Sequence, residues 1–296
     1  MIQFSSNTQP PLRRQRSYSF WSGTWGRLCK NRLAIVGLVI LTVLAVSALL
    51  ADFVAPYHFD EQNLSARLQP PSVDHFFGTD SVGRDVFSRV IYGGRVSLQI
   101  GLVSVLISGT LGGTLGVLAG YFGGSTDNLI MRALDILLAV PDILLAISIA
   151  TTLGPGLFNL MLAIGLSFIP HYARMVRASV LSIKEQKFIQ AARAIGCNDF
   201  KIITSHLLPN IMAPVIVQTT LGIALAILTA SSLSFIGLGI RPPIPEWGAM
   251  LATGRDYIRS HWHIVTFPGL AIFITILSFN LLGDGLRDAL DPRLKR

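Results

Sequence analysis

The sequence predicts an all-α polytopic membrane protein with about six transmembrane helices and both termini in the cytoplasm. Three observations support this fold class: long apolar runs, few charged residues, and basic residues clustered beside the apolar runs. Hydrophobic residues make up 51% of the 296 residues and charged residues only 14%, whereas soluble domains carry roughly 25% charged residues. Much of the surface is therefore expected to face lipid.

Each predicted span is an apolar run. A spanning helix needs about 20 mostly apolar residues, because about 30 Å of hydrocarbon is crossed at about 1.5 Å per residue. The predicted spans are 33–51, 96–120, 129–153, 157–172, 211–236 and 264–283. A Gly-Pro sequence at 154–155 separates the third from the fourth. The first run is of full spanning length, so we interpret it as a span and not as a cleaved signal peptide.

The spans divide the chain into segments. These are a cytoplasmic N-terminal tail (1–32), the first transmembrane helix (33–54), a periplasmic loop (55–95), a five-helix core (96–283) and a cytoplasmic C-terminal tail (284–296). Within the core, 182–210 is expected to form a cytoplasmic loop and 237–263 a periplasmic loop. Long loops of this kind usually carry function or bind partners.

Orientation follows from the basic residues. With a cytoplasmic N-terminus, 17 of the 24 Lys and Arg residues fall in inside segments and 7 in outside segments, as the positive-inside rule requires. This placement explains the net charge of +8, so no nucleic-acid partner is expected. Cys29 and Cys197 both fall inside, where thiols stay reduced, and no disulfide framework is predicted.

The inner loop reads as two short helices. In the first, about 184–195, an apolar stripe is formed by Phe188, Ile189, Ala192 and Ile195. Gly196 stands where a left-handed C-cap belongs, and Asn198 and Asp199 can cap the second helix. The stripe needs a surface to cover it, which is either the chain's own core or a groove on a partner.

Four sequence blocks resemble a known family. Gln190-Ala191-Ala192, Gly196 and Leu208-Pro209 resemble the EAA loop of ABC importer permeases, although Glu is usual at Gln190 and an aliphatic residue at His206. Three further blocks, at 77–89, 234–250 and 280–292, are similar to the C-type subunits of dipeptide, oligopeptide and nickel permeases.

The resemblance implies a type I ABC importer permease fold in the inner (plasma) membrane, surrounded by membrane lipid. It implies transport of short peptides, with glutathione or a nickel chelate as alternatives. The implied partners are a homologous B-type permease subunit, two cytoplasmic ATPases and a substrate-binding protein. ATP and Mg²⁺ would bind the ATPases, and no cofactor is expected on this chain, which has no P-loop sequence. The implied ATPase-coupling loop consists of Gln190, Ala191, Ala192, Gly196, Leu208 and Pro209.

Charged residues inside the third predicted span form a second candidate site. Arg132, Asp135 and Asp142 share one helix face. We expect Arg132 and Asp135 to form an ion pair near the cytoplasmic end. Asp142 follows Pro141 near the middle of the membrane, where it either lines the transport pathway or accepts from freed backbone donors.

The outer loops carry a third set of candidates. Asp80, Arg84, Asp85, Glu246 and Trp247 either form a periplasmic gate or binding-protein contact or belong to a satisfied surface network. The only close histidine pair flanks Trp262 and is interpreted as part of an interfacial aromatic belt, so no metal site is predicted. The glycine-rich second span is interpreted as a helix-packing surface.

The sequence lacks the features expected of two rival functions, a secondary transporter and a membrane enzyme. A secondary transporter often has paired broken helices in related halves, and no such pairing is visible in the sequence. A membrane enzyme would need a catalytic constellation, and neither a Ser/His/Asp set nor a His-Glu-x-x-His motif is evident. A non-catalytic transport subunit is therefore the preferred interpretation.

Overall fold

Apolar helices dominate the computed structural model, which describes residues 20–290. The predicted terminal tails fall partly outside this range, at 1–19 and 291–296, as do the last two residues of the 280–292 block. In chain order the helices are α1 (Phe20–Leu28), α2 (Arg32–Leu49), α3 (Ala51–Val54), α4 (Val86–Phe122), α5 (Gly124–Leu138), α6 (Asp142–Leu153), α7 (Leu157–Ser167), α8 (Ile169–Lys184), α9 (Lys187–Ala194), α10 (Asp199–Lys201), α11 (Leu208–Phe235), α12 (Trp247–Gly254) and α13 (His263–Leu290). A π-helical turn, Ile202–Leu207, joins α10 to α11.

The described chain is an all-helical membrane protein with four to five candidate spans. The four long apolar helices are α2, α4, the continuous α10–α11 segment and α13, and the bent pair α5–α6 makes the fifth if it counts as one span. Helix α7 is apolar but shorter, with 11 residues. The count of six spans stays a prediction.

Helix α4 is much longer than the span predicted at 96–120. It begins at Val86 because the Asp85 carboxylate accepts a hydrogen bond from the Ser88 backbone N–H at 2.7 Å, which caps the helix. Its 37 residues extend about 55 Å, well beyond the about 30 Å of a bilayer core. The outer loop predicted to reach residue 95 therefore ends at residue 85, and α13 likewise continues to Leu290 into the predicted tail.

The third predicted span, 129–153, is not one helix. Helices α5 and α6 meet at an angle of 86°. The break lies at Val140–Pro141 because proline has no backbone N–H and disfavours helical conformation in the residue before it. The sequence at 129–153 therefore forms two helices with a sharp bend at the proline, and whether they cross the membrane as one span stays a prediction.

Glycines allow α4 to pack closely on α8. A Cβ atom built on Gly112, Gly116 or Gly120 would lie 2.5 to 2.8 Å from α8 atoms, in the case of Gly116 the carbonyl oxygen of Ala173. The neighbouring Gly113 points elsewhere and has nothing within 4 Å. The predicted packing role of this glycine-rich segment is confirmed.

Helix α2 packs against α13 with one of its faces. Ala34 and Gly37 are buried, and a Cβ on Gly37 would lie 2.6 Å from the Ser278 carbonyl oxygen. The opposite face carries exposed apolar side chains, as expected for lipid contact: Leu33, Val36, Val39, Val43 and Val46.

Two ends of the bundle are defined by α4. We call the end near Val86, where segments 55–85 and 237–262 lie against α4, the loop end. We call the end near Phe122 the α9 end, because Tyr121 contacts the segment that follows α9. In the predicted orientation the loop end is outside and the α9 end is inside.

Candidate coupling site and polar clusters

Helix α9 rests on the rest of the chain through two residues. Ile189 is fully buried and Ala192 is 5% exposed. They join an apolar cluster with Val180 of α8 and with Ile202 and Leu207 of the π-helical turn. The chain's own core therefore covers part of the predicted apolar stripe.

The other half of that stripe is uncovered. Phe188 is 39% exposed and Ile195 80% exposed, and Phe200 in the adjoining α10 is 75% exposed. The short helix presents Ile189 and Ala192 inward and the other two side chains outward, so the chain's own core covers only half of the stripe and a partner groove stays a prediction for the other half. A group of large exposed apolar side chains on a projecting element is typical of a protein-contact surface.

The end of α9 has the predicted cap. Gly196 has a φ of +82°, its N–H donates to the Arg193 carbonyl at 2.9 Å, and the Cys197 N–H donates to the Ala192 carbonyl at 3.1 Å. This pair of bonds is the Schellman motif, which favours glycine at the left-handed position.

The second predicted helix is shorter than expected. The Asn198 side chain caps α10 by accepting from the Lys201 N–H at 2.9 Å, as predicted. The Asp199 carboxylate does not cap the helix and accepts instead from the Tyr121 hydroxyl. Helix α10 then continues through the π-helical turn into α11, and Pro209 lies in the first turn of α11.

The remaining residues of the predicted coupling loop lie around α9. Gln190 and Ala191 are exposed, and the Gln190 side-chain amide donates to the Glu185 carbonyl at 3.3 Å. Leu208 is half-buried and Pro209 exposed. These residues therefore form one accessible surface together with the exposed apolar side chains.

A series of ion pairs joins α5 and α6 to α8, and we call it the ion-pair ladder. Its two ion pairs are Asp127–Arg177 and Asp135–Arg174, at 2.5 Å each, and a hydrogen-bonding contact of 2.9 Å between His171 Nε2 and the Asp142 carboxylate extends the series. Sequence reasoning missed the three α8 residues, although their spacing of three residues puts them on one helix face. Asp135 pairs with Arg174 and not with Arg132, since α8 lies against α5.

Asp142 lies opposite His171, whose neighbour Tyr172 packs with its hydroxyl against Gly222 of α11. The position of Asp142 near the middle of the membrane stays a prediction.

Buried charges organise the loop end. The Arg84 Nε donates to Asp80 Oδ2 at 2.7 Å, and the Val82 and Arg84 backbone N–H groups donate to Asp80 Oδ1 at 2.9 and 3.0 Å. Asp85 accepts from Ser88 and lies 3.0 Å from His75 Nδ1. Asp80, Arg84 and Asp85 are each less than 9% exposed, so their charges are compensated inside the protein.

Glu246 and Trp247 join the second loop to α4. The two Glu246 carboxylate oxygens accept from the Gly248 and Ala249 N–H groups at 2.8 Å each and cap α12. Burial raises the pKa of the Glu246 carboxyl, and these hydrogen bonds oppose the rise. The Trp247 indole donates to the Val90 carbonyl at 2.9 Å. Glu246 is 0% exposed and Trp247 1% exposed, so neither side chain presents a surface to a partner in this conformation.

The histidine pair is not arranged as a ligand set. The His261 and His263 rings are 6.1 Å apart, and His263 Nε2 lies 3.2 Å from the Thr79 carbonyl oxygen. Between residues 20 and 290, no group of three or more His, Cys, Asp or Glu side chains could hold a metal ion. Trp262 is 55% exposed.

The fold has counterparts among solved transporter structures. It is similar to two inward-facing structures of the MetNI methionine ABC transporter, with TM-scores of 0.56 and 0.58 and 18% identity. Each match covers 69% of this chain, and 96% and 97% of the respective matched chains. This similarity shows the fold of the chain, a bundle of membrane helices.

Sequence comparisons identify the family. Residues 112–296 match the binding-protein-dependent transport system inner membrane component, and residues 19–71 match the N-terminal TM domain of oligopeptide transport permease C. The chain belongs to this family of inner-membrane permeases, as a multi-pass, non-catalytic component of the oligopeptide permease C type.

Similar proteins cover nearly the whole chain. The dipeptide transport system permease protein DppC of Alkalihalophilus pseudofirmus is 48% identical over 98% of this chain and 95% of the relative. The glutathione transport system permease protein GsiD of Escherichia coli is 44% identical over 99% of this chain and 97% of the relative.

Proposed function

We propose that this chain is the C-type permease subunit of an ATP-driven importer for short peptides of the dipeptide class. The observation that carries the proposal is α9, a short capped helix held by Ile189 and Ala192 with its other apolar side chains uncovered. The dipeptide class is supported by the 48% identity to DppC. Glutathione, itself a short peptide, is the second candidate because of the 44% identity to GsiD.

The proposed partners follow from the two ends of the bundle. Two cytoplasmic ATPases, which carry ATP and Mg²⁺, would bind the coupling loops of the two permease subunits; in this chain that is the loop around Gln190, Ala191 and Gly196. A homologous B-type subunit would complete the pathway, and a substrate-binding protein would dock at the loop end. Since Glu246 and Trp247 are buried, a gate role for them requires a change of conformation.

The proposed topology has six crossings and both termini in the cytoplasm. The crossings would be α2, α4, the α5–α6 pair, α7 with α8, α11 and α13. The distribution of Lys and Arg supports this orientation. In the same topology Cys29 and Cys197 are cytoplasmic, so a membrane-impermeant thiol reagent should label Cys29 in inverted vesicles and not in intact spheroplasts.

Asp142 is proposed to line the pathway. A break in a helix frees backbone groups, which cannot be left unsatisfied against lipid. Asp142 and His171 are both partly exposed, with side chains 38% and 46% accessible, and such polar groups face lipid only at high cost. A water-containing pathway satisfies both requirements. The lipid-facing side of α2, by contrast, is entirely apolar over Leu33, Val36 and Val39.

The experiment that tests the coupling proposal uses the cap of α9. Gly196→Pro cannot adopt the φ of +82° and loses the N–H that donates to Arg193. Uptake should be abolished while the protein still inserts and the B-type subunit still co-purifies. Uptake at the wild-type rate would refute the coupling role.

A matched control separates coupling from general strain. Gly237 closes α11 at the loop end with the same pair of Schellman bonds, has a φ of +89° and, like Gly196, has open space where a Cβ would stand. Gly196→Ala and Gly237→Ala should each cost about 1 kcal/mol of stability. Only Gly196→Ala should weaken ATPase co-purification.

Cargo and energy source can be tested separately. Competition by unlabelled alanylalanine and glutathione against the labelled cargo of the binding protein distinguishes the two peptide candidates. Uptake measured with ATP depleted and ion gradients preserved distinguishes an ATP-driven importer from a secondary transporter. Continued uptake without ATP would exclude the proposed function.

A further inference from the structure

Tyr121, one residue before the end of α4, collects contacts from three elements of the α9 end. Its hydroxyl donates to Asp199 Oδ1 of α10 at 2.6 Å. The Arg193 guanidinium of α9 lies 5.3 Å from the centre of its ring. Lys184, at the end of α8, donates from Nζ to the Tyr121 carbonyl oxygen at 2.6 Å, and its ammonium lies 5.9 Å from the ring.

All of these contacts meet at Tyr121, through its hydroxyl, its ring and its backbone carbonyl. Tyr121 is only 3% exposed, while Asp199 and Arg193 are exposed. Apolar contacts have no preferred direction, whereas the hydrogen bond from the Tyr121 hydroxyl to Asp199 fixes the orientation of α10 relative to α4. The Arg193 and Lys184 cations are attracted to the face of the Tyr121 ring.

Helix α4 connects this point to the loop end without a break. It runs from Tyr121 back to Val86 as one α-helix. At its other end the Trp247 indole donates to the Val90 carbonyl, and Asp85 caps the first turn. Because Tyr121 links α9 to α4, a displacement of α9 can move α4. As one rigid element, α4 would carry this movement to the loop end.

We infer that Tyr121 is a positioning residue that transmits movement of α9 to α4, and so couples ATP hydrolysis to opening of the loop end. This inference rests on the proposed function, because it requires an ATPase that moves α9. It assigns Tyr121 no contact with the ATPase or the cargo. Loss of the Tyr121–Asp199 hydrogen bond should therefore lower the amount of cargo imported per ATP hydrolysed.

The test uses the complete transporter in proteoliposomes, with the binding protein and either alanylalanine or glutathione, whichever the wild type imports. The variant Tyr121→Phe keeps the ring and its cation contacts and removes only the hydroxyl. Because Asp199 is exposed, the unpaired carboxylate is solvated and folding is retained. Uptake per ATP hydrolysed should fall about tenfold, the factor that corresponds to about 1.4 kcal/mol for a hydrogen bond to a charged group.

Asp199→Ala provides a second route to the same bond. It should lower the ratio by a similar factor, and the double variant should be no worse than either single one, since both remove one interaction. Tyr172→Phe is the matched control: it also removes a tyrosine hydroxyl donating to another helix, here to the Gln218 carbonyl at 3.2 Å. Its uptake per ATP should equal that of the wild type.

The outcomes are distinguishable. An unchanged ratio in Tyr121→Phe and Asp199→Ala overturns the inference, as does an equal fall in Tyr172→Phe. Loss of ATPase co-purification in Tyr121→Phe also overturns it, because the residue would then act in docking. Full coupling in Gly196→Pro would refute the proposed coupling role of α9. Because that result comes from a different variant, it can be distinguished from a failure of the inference about Tyr121.

Discussion

The two ends of α4 are attached to the rest of the protein in different ways. At the loop end, buried charges and a buried indole surround the first turns: Asp85 caps the helix, and Trp247 donates to the Val90 carbonyl. At the α9 end, the only buried side chains of α9 are the apolar Ile189 and Ala192, and its Arg193 contacts the Tyr121 ring from an exposed position. Buried hydrogen-bonded networks rigidify a structure, whereas elements with few buried contacts open at low free energy.

This difference suggests a division of roles. The loop end is expected to move as a unit with α4, because its charges are satisfied only in their present arrangement. The α9 end is expected to be the compliant part, which can adapt to a partner. A substitution that removes a buried side chain at the loop end should therefore lower the unfolding midpoint of the whole protein. A similar substitution in α9 should increase local opening with little change in the midpoint.

The largest effect is expected for Trp247→Ala. Removing a buried aromatic side chain costs about 3–5 kcal/mol, and the partner carbonyl of Val90 loses its donor. Thermal unfolding of purified protein in detergent should shift strongly downward. Trp262→Ala is the control, because it removes an indole that is 55% exposed. Its free energy of unfolding should stay within about 0.5 kcal/mol of the wild-type value. Similar shifts in the two variants would contradict the rigid loop end.

Gly116→Ala should have the next largest effect. Its Cβ would lie 2.5 Å from the Ala173 carbonyl oxygen, so α4 and α8 must separate, at a cost of about 1–3 kcal/mol. Gly113→Ala adds the same methyl group on the open face, with nothing within 4 Å, and should be neutral or stabilising by up to about 1 kcal/mol. Unfolding midpoints of the two variants check this, and a destabilised Gly113→Ala would mean that the open face is occupied.

Ile189→Ala should have a local effect. It removes the fully buried contact of α9, but the helix can detach without unfolding the bundle. Hydrogen–deuterium exchange should increase at residues 187–194, with little change in the unfolding midpoint. Ile195→Ala, at an exposed position, should change neither. A midpoint shift as large as that of Trp247→Ala would show that the α9 end is as rigid as the loop end.

The smallest effect is a pH dependence at the loop end. Burial raises the pKa of Glu246 above its unfolded value, so its contribution to stability is fully present below pH 4.5 and is lost as pH rises through the folded pKa. Glu246→Gln cannot titrate. The difference in unfolding midpoint between wild type and variant should therefore favour the wild type more as pH falls, and a pH-independent difference would contradict the raised pKa.

Much of the fold was predictable because it follows from local pattern. Apolar length identified the helical membrane class, and Gly196 and Asn198 were assigned correctly from capping preferences. The break at Pro141 was underestimated, since a proline either bends or ends a helix and tertiary packing decides between the two. The start of α4 at Val86 was missed because residues 86–95 contain Arg89, Arg95 and the Gly93-Gly94 pair, which interrupt the apolar pattern of a span.

The candidate site was predictable in part. The coupling loop could be predicted because its residues are close in sequence, whereas the ion-pair ladder joins residues separated by 29 to 50 positions. The inward position of Ile189 and outward position of Ile195 depend on how α9 meets α8, which the apolar pattern of a short helix does not specify. Tyr121 gave no local signal, because its partners lie in α8, α9 and α10.

The one-sided packing of α2 sets different tolerances for mutation along the same helix. Leu33, Val36 and Val39 are exposed, so exchange among aliphatic side chains there should change the solvation free energy in lipid very little. Ala34 and Gly37 meet α13 at backbone distance, and almost any larger side chain would push the two helices apart. Substitutions along this helix should therefore be tolerated or rejected according to which neighbour each position meets.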